Sequence, residues 1–153
     1  MLTYEDAEIP PERDPDVVKN IIHELALNRE QSAAFGMVAE HWVTASSDQL
    51  LMLVTGGGGT GKSYVVRAID KFFGRINAGG LLCKGGPTGC ASYLIDAETL
   101  HYMLRLHFNA KLSLNTLAEL QTEWAGVKYL VIDEVSMIGA KLLSKISERL
   151  GLI

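Results

Sequence analysis

Val54-Thr55-Gly56-Gly57-Gly58-Gly59-Thr60-Gly61-Lys62-Ser63 fits the pattern G-x-x-x-x-G-K-[ST], the signature of a phosphate-binding loop. Its flanks carry the rest of the expected context. Leu50-Leu51-Met52-Leu53-Val54 precedes it as an apolar run that predicts a buried strand. Residues 63–73 follow it with helical spacing. A glycine-rich turn that merely happens to precede a Lys-Ser pair would lack this strand–loop–helix frame.

The residue types explain the chemistry. Glycines take positive φ and let the backbone approach an anion with no Cβ in the way. Successive N–H groups then converge on phosphate oxygens, and the start of the following helix adds partial positive charge. Gly56, Gly57, Gly58, Gly59, Thr60 and Gly61 are the expected cradle. Lys62 supplies a full charge for the β- and γ-phosphates. The Ser63 hydroxyl suits Mg²⁺, which takes oxygen ligands.

A second motif answers the first. Leu130-Val131-Ile132-Asp133-Glu134 is an apolar strand ending in two carboxylates. Ligands of α/β sheets bind at the carboxyl ends of strands, where both motifs are expected. Asp133 is expected to hold Mg²⁺ through water, and Glu134 to orient and deprotonate an attacking water. A solvated acidic pair at a strand end is the plainer alternative, and the upstream loop argues against it. No Asn-Lys-x-Asp guanine-reading motif occurs, which disfavours a GTPase.

Between and around these motifs the pattern alternates. Asp16–Leu27 has a helical stripe. Asn28 with Gln31 three places on predicts a capping-box start for the next helix. Leu81-Leu82-Cys83 and Tyr129–Ile132 predict further strands, the latter buried. Helices are expected over 88–95, from about Thr99, over 114–124 and over 140–150. This order implies a parallel α/β sheet flanked by helices. Trp42 and Trp124 are expected in the core, and His23, His41 and His107 are read as structural.

Composition sets limits. The chain has 153 residues with 48% apolar and 21% charged content, values for one globular domain. No apolar run reaches transmembrane length and the start carries no signal-peptide pattern, so neither a membrane nor a secreted role is expected. Cys83 and Cys90 lack a metal-ligand spacing and read as free thiols. Residues 1–50 hold ten acidic and three basic side chains, whereas residues 51–153 hold eight and eleven. The second part therefore permits a polyanion without demanding one. Residues 1–15, acidic and proline-containing, are expected to be a flexible lead-in, and 16–153 the folded domain.

Four segments together resemble the PIF-type DNA helicases of superfamily one, with the Helitron-like transposon helicases and, more distantly, the RecD enzymes. They are Leu27-Asn28-Arg29-Glu30-Gln31, the loop at 56–63, Gly86-Pro87-Thr88-Gly89-Cys90-Ala91 with Thr99-Leu100-His101, and Ile132-Asp133-Glu134-Val135-Ser136-Met137. The resemblance implies a P-loop, RecA-like fold using ATP and Mg²⁺. It implies 5′-to-3′ movement on single-stranded DNA, in DNA repair, recombination, telomere maintenance or transposition. It also implies a nuclear site in a eukaryote, otherwise the cytoplasm, with the mitochondrion an alternative.

By the same resemblance Gln31 reads adenine, since an amide can pair with N6 and N7 together. Pro87, Thr88, Gly89, Thr99 and His101 grip DNA through phosphate and sugar contacts. Asp96 and Ala97 stand where such helicases carry glycines, and Ser92 where a small apolar residue is commoner. The chain stops after the Asp-Glu helix, where such a helicase would continue with a sensor strand and a second RecA-like domain in cis. The sensor strand would lie between the phosphate-loop strand and the Asp-Glu strand. The expectation is therefore a fold incomplete at its C-terminus, unstable and weakly active alone. A nucleotide-binding module or pseudo-enzyme without motor activity is the alternative.

Overall fold

The computed structural model describes residues 15–106 and 112–153. The expected lead-in lies outside them except for Pro15, and so does His107. The chain divides into two compact units, Met1–Gly79 and Gly80–Ile153.

The first unit is built from three helices. Helix α1 (Pro15–Glu24) opens with proline at its first position, where the missing N–H is no loss. Its stripe buries Ile21 completely. Helix α2 (Arg29–Val43) starts with the expected capping box. The Asn28 side chain accepts from Gln31 N–H at 2.8 Å, and Gln31 Oε1 accepts from Asn28 N–H at 3.0 Å. Helix α3 (Lys62–Arg75) buries Val65, Ala68, Ile69, Phe72 and Phe73. The rings of Phe35 and Phe72 meet edge-on at 6.0 Å, as do those of Trp42 and Phe73. Each such pair adds about 1 kcal/mol beyond the burial of its area. The Glu24 carboxylate receives Lys71 and Arg75, linking α1 to α3.

The strand expected at 50–54 does not form. The described sheet contains no such strand, and Leu51 and Leu53 are 83% and 69% exposed. An apolar run states that burial is favourable. It does not supply the neighbouring backbone whose hydrogen bonds define a strand.

The second unit carries a parallel three-stranded sheet flanked by helices, the expected partial RecA-like arrangement. Its order is β2–β1–β3, with β1 Leu82–Gly86, β2 Glu98–Thr99 and β3 Tyr129–Ile132. Leu82 pairs with Tyr129 and Gly85 with Ile132 on one side, Gly86 with Thr99 on the other. Helices α4 (Gly89–Leu94), α5 (Leu100–Met103), α6 (Leu114–Trp124) and α7 (Ala140–Leu150) complete it. Leu100, Met103, Leu104, Leu120, Trp124 and Ile146 form the core, with Leu130 and Ile132 packed against it. Residues of β3 are half-buried rather than buried, because β3 borders the described sheet on one side. Glycine is required at Gly85, where a Cβ would stand 2.7 Å from Met103 Sδ and 2.9 Å from Leu100 Cδ2. Cys83 and Cys90 are free thiols; burial pushes the Cys83 thiol up, and the Glu98 charge adds to it.

Candidate active site

The phosphate-loop motif stands between an irregular run and α3, and its backbone has the required form. Gly59 and Gly61 adopt φ of +75° and +84°, values that favour glycine. Gly61 is the N-cap of α3, with no side chain capping the helix and no acid in its first turn. Such a helix start, with Tyr64 N–H bonded to Gly61 O, offers its leading N–H groups as an anion site could use them. Lys62 Nζ arches back to donate to the Gly56 and Gly57 carbonyls, both at 2.9 Å. Thr60 Oγ1 donates to Gly57 O at 2.9 Å and braces the turn. Ser63 is exposed in the first turn of α3.

Gln31 belongs to the same unit and reaches this loop. Its Nε2 donates to Gly61 O at 3.2 Å, across thirty residues of sequence. A Cβ on Gly61 would overlap that nitrogen. Thus the sequence-expected adenine reader and the phosphate loop are in direct contact.

The other expected residues gather along one edge of the sheet in the second unit. Asp133 follows β3, and its N–H donates to Gly85 O at 3.0 Å. Its Oδ1 accepts from Glu134 N–H at 2.8 Å, which fixes the carboxylate and leaves the other oxygen for a ligand. Glu134 adopts φ +52°. The other non-glycine residues of positive φ (Ala26, Ala45, Asn77, Asp96 and Arg105) come just after helices, where such a turn is common. Glu134 instead follows a strand, so its strain is of the kind that accompanies functional sites.

Pro87-Thr88-Gly89 leaves the carboxyl end of β1, and Thr99 ends β2 in register with Gly86. Both threonines are helix caps. Thr88 Oγ1 accepts from Ala91 N–H and Thr99 Oγ1 from Tyr102 N–H, each at 3.3 Å. Each hydroxyl oxygen accepts in these bonds, so its own proton can still be donated. His101 is half-buried in α5. Ser92 is buried, but its hydroxyl donates to Thr88 O at 2.9 Å, so a polar residue is accommodated there.

Among the described residues no group of three or more His, Cys, Asp or Glu side chains could hold a metal. Magnesium is commonly held by one or two carboxylates, waters and substrate phosphates. Ser63 and Asp133 are hard oxygen donors of this kind. Residues 26–153 match the PIF1-like helicase family. The chain belongs to that family. Over 100 residues it is 28% identical to the ATP-dependent DNA helicase RRM3 of Saccharomyces cerevisiae, a stretch covering 61% of this chain and 14% of the yeast protein. No solved structure matches it significantly. In this PIF1-like chain, among the described residues, no helix is long and apolar enough to cross a membrane.

Two features of this PIF1-like site had no sequence signal. One is the bond from Gln31 to Gly61, because nothing in either motif specifies a contact thirty residues away. The other is the left-handed backbone of Glu134, which a glycine would have announced.

Proposed function

We propose that this chain is the nucleotide-binding and DNA-gripping part of an ATP-dependent DNA helicase. Gly56–Gly61 and Lys62 hold the triphosphate, and Gln31 reads the adenine. Ser63 and Asp133 hold Mg²⁺, which when bound neutralises charge on the phosphates. Glu134 takes the proton of the attacking water. Pro87, Thr88, Gly89, Thr99 and His101 bind single-stranded DNA by its backbone, so without sequence preference. Hydrolysis then drives 5′-to-3′ movement together with a second RecA-like domain in cis. Repair, recombination, telomere maintenance or transposition is the setting, in the nucleus or mitochondrion of a eukaryote or in a bacterial cytoplasm.

One observation carries this reading. A glycine loop with left-handed Gly59 and Gly61 runs into an uncapped helix bearing Lys62, in a chain matched over residues 26–153 by a helicase family. The exposed, unpaired run at 50–54 favours a second reading, a nucleotide-binding module without motor activity.

Binding of Mg-ATP and DNA-stimulated hydrolysis separate the two. Lys62→Ala should lose at least tenfold in ATP affinity, the effect of about 1.4 kcal/mol. Glu134→Gln should keep ATP binding and lose 10²- to 10⁴-fold in rate, the usual contribution of a general base. Unchanged binding by Lys62→Ala would remove the loop assignment. Tight binding with no turnover in the wild type would establish the module.

A further inference from the structure

The amide of Gln31 is bonded at both ends without a nucleotide. Oε1 accepts from Asn28 N–H at 3.0 Å, and Nε2 donates to Gly61 O at 3.2 Å. An amide oxygen has two lone pairs and an amide nitrogen two protons. One lone pair and one proton therefore remain, the set that adenine N6–H and N7 require.

The geometry points to Gln31 as a positioning residue for the phosphate loop in addition to its proposed reading of adenine, an inference that rests on the nucleotide-binding reading above. Its Nε2 holds the carbonyl of Gly61, the residue whose φ of +84° turns the loop into α3. Gly61 O also accepts from Tyr64 N–H at 3.0 Å, in the first turn of that helix. The peptide after Gly61 carries the N–H of Lys62. Fixing its carbonyl oxygen fixes that N–H, because the peptide unit is planar. Gln31 thereby couples base and triphosphate recognition. A ligand that has phosphates but no base gains from its presence.

The test uses inorganic tripolyphosphate with Mg²⁺ beside Mg-ATP, each titrated calorimetrically into the full chain. Gln31→Ala loses the bond its side chain accepts from Asn28 N–H and the bond it donates to Gly61 O. Asn28→Ala loses only the other half of the capping box, the bond from Gln31 N–H to the Asn28 side chain. Gln31→Ala should bind tripolyphosphate roughly fivefold more weakly than wild type, as expected for one neutral hydrogen bond, and Asn28→Ala should bind it nearly as wild type. Weakened ATP binding with unchanged tripolyphosphate binding in Gln31→Ala would leave Gln31 as a base reader alone and overturn the inference. Equal losses in both variants would overturn it too, by assigning the effect to the start of α2. If the wild type binds neither ligand, the nucleotide-binding reading itself falls and takes this inference with it. A measurement on the wild type needs no variant. In nucleotide-free protein a Gln31 side-chain amide proton should exchange more slowly than that of exposed Gln121, whose own amide donates to Leu152 O at the surface. Equal rates would count against a held carbonyl.

Discussion

Gln31 and Gly61 meet through one hydrogen bond, Nε2 to carbonyl at 3.2 Å, at an approach that a Cβ on Gly61 would block. Gly61→Ala should therefore fail twice. A left-handed alanine is strained by about 1–2 kcal/mol, and its methyl displaces the Gln31 amide. Thermal unfolding should begin several degrees lower, and Mg-ATP binding should be lost. Gly58→Ala is the control, since a Cβ there meets nothing within 4 Å and its φ is not left-handed. It should unfold within a degree or two of wild type.

Ser63 and Asp133 belong to different compact units, and the proposal that they serve one Mg²⁺ has a thermodynamic signature. Residues that share a ligand are not additive. Ser63→Ala and Asp133→Asn should each weaken Mg-ATP binding, and the double variant should lose less than the sum by about 1 kcal/mol. With EDTA the coupling should vanish. Additive losses in both conditions would separate the two residues from a common metal.

Glu134 holds a left-handed turn two residues after the end of β3. Glu134→Gly should relieve about 1 kcal/mol of backbone strain, partly offset by the greater entropy of glycine in the unfolded chain. The melting temperature should rise or hold while DNA-stimulated hydrolysis falls. A variant both less stable and inactive would mean that the side chain supports the fold.

The extent to which these residues were legible depended on the range of the interaction. Helices 114–124 and 140–150 and strand 129–132 follow from apolar spacing alone and match residue for residue. The Asn28–Gln31 capping box is also local, and it formed as expected. The run at 50–54 misled because its strength as a strand lies in a neighbour, which its own letters do not encode. Strand β2 was missed for the opposite reason: Glu98 and Thr99 carry no apolar signature and are placed by pairing with Gly85 and Gly86. The same distance hid the Gln31–Gly61 contact and the joining of Glu24 to Lys71 and Arg75.

Asp96 occupies a position where glycine is the natural choice. Its φ is +51°, just past the end of α4, and related helicases were expected to carry glycines here. Aspartate tolerates this region better than most residues. Asp96→Gly should accordingly stabilise the chain by only about 0.5 kcal/mol, read as a small rise in melting temperature. It also removes a carboxylate three residues from Thr99. Binding of single-stranded DNA should tighten severalfold at low salt, with the gain shrinking as salt screens the charge. Unchanged affinity at low salt would place the DNA path away from this edge.

The Glu24 carboxyl is held below its ordinary range, first by the hydrogen bond from Lys71 and then by Arg75. A carboxylate whose folded value is lowered adds stability above the unfolded value of about 4.3. That stability is lost as pH falls toward and through the folded value, because the unfolded state then takes up the proton more readily. In Trp124→Phe, fluorescence reports only on Trp42, which packs on Phe73 in the unit that α1 and α3 share. Against that background Glu24→Gln should melt lower than its parent near pH 7, with the gap closing below pH 4. Raising NaCl to about 1 M should narrow the gap at pH 7, since exposed ion pairs are screened. A gap that stays constant from pH 7 to pH 3 would show that the carboxylate charge contributes nothing to joining the two helices.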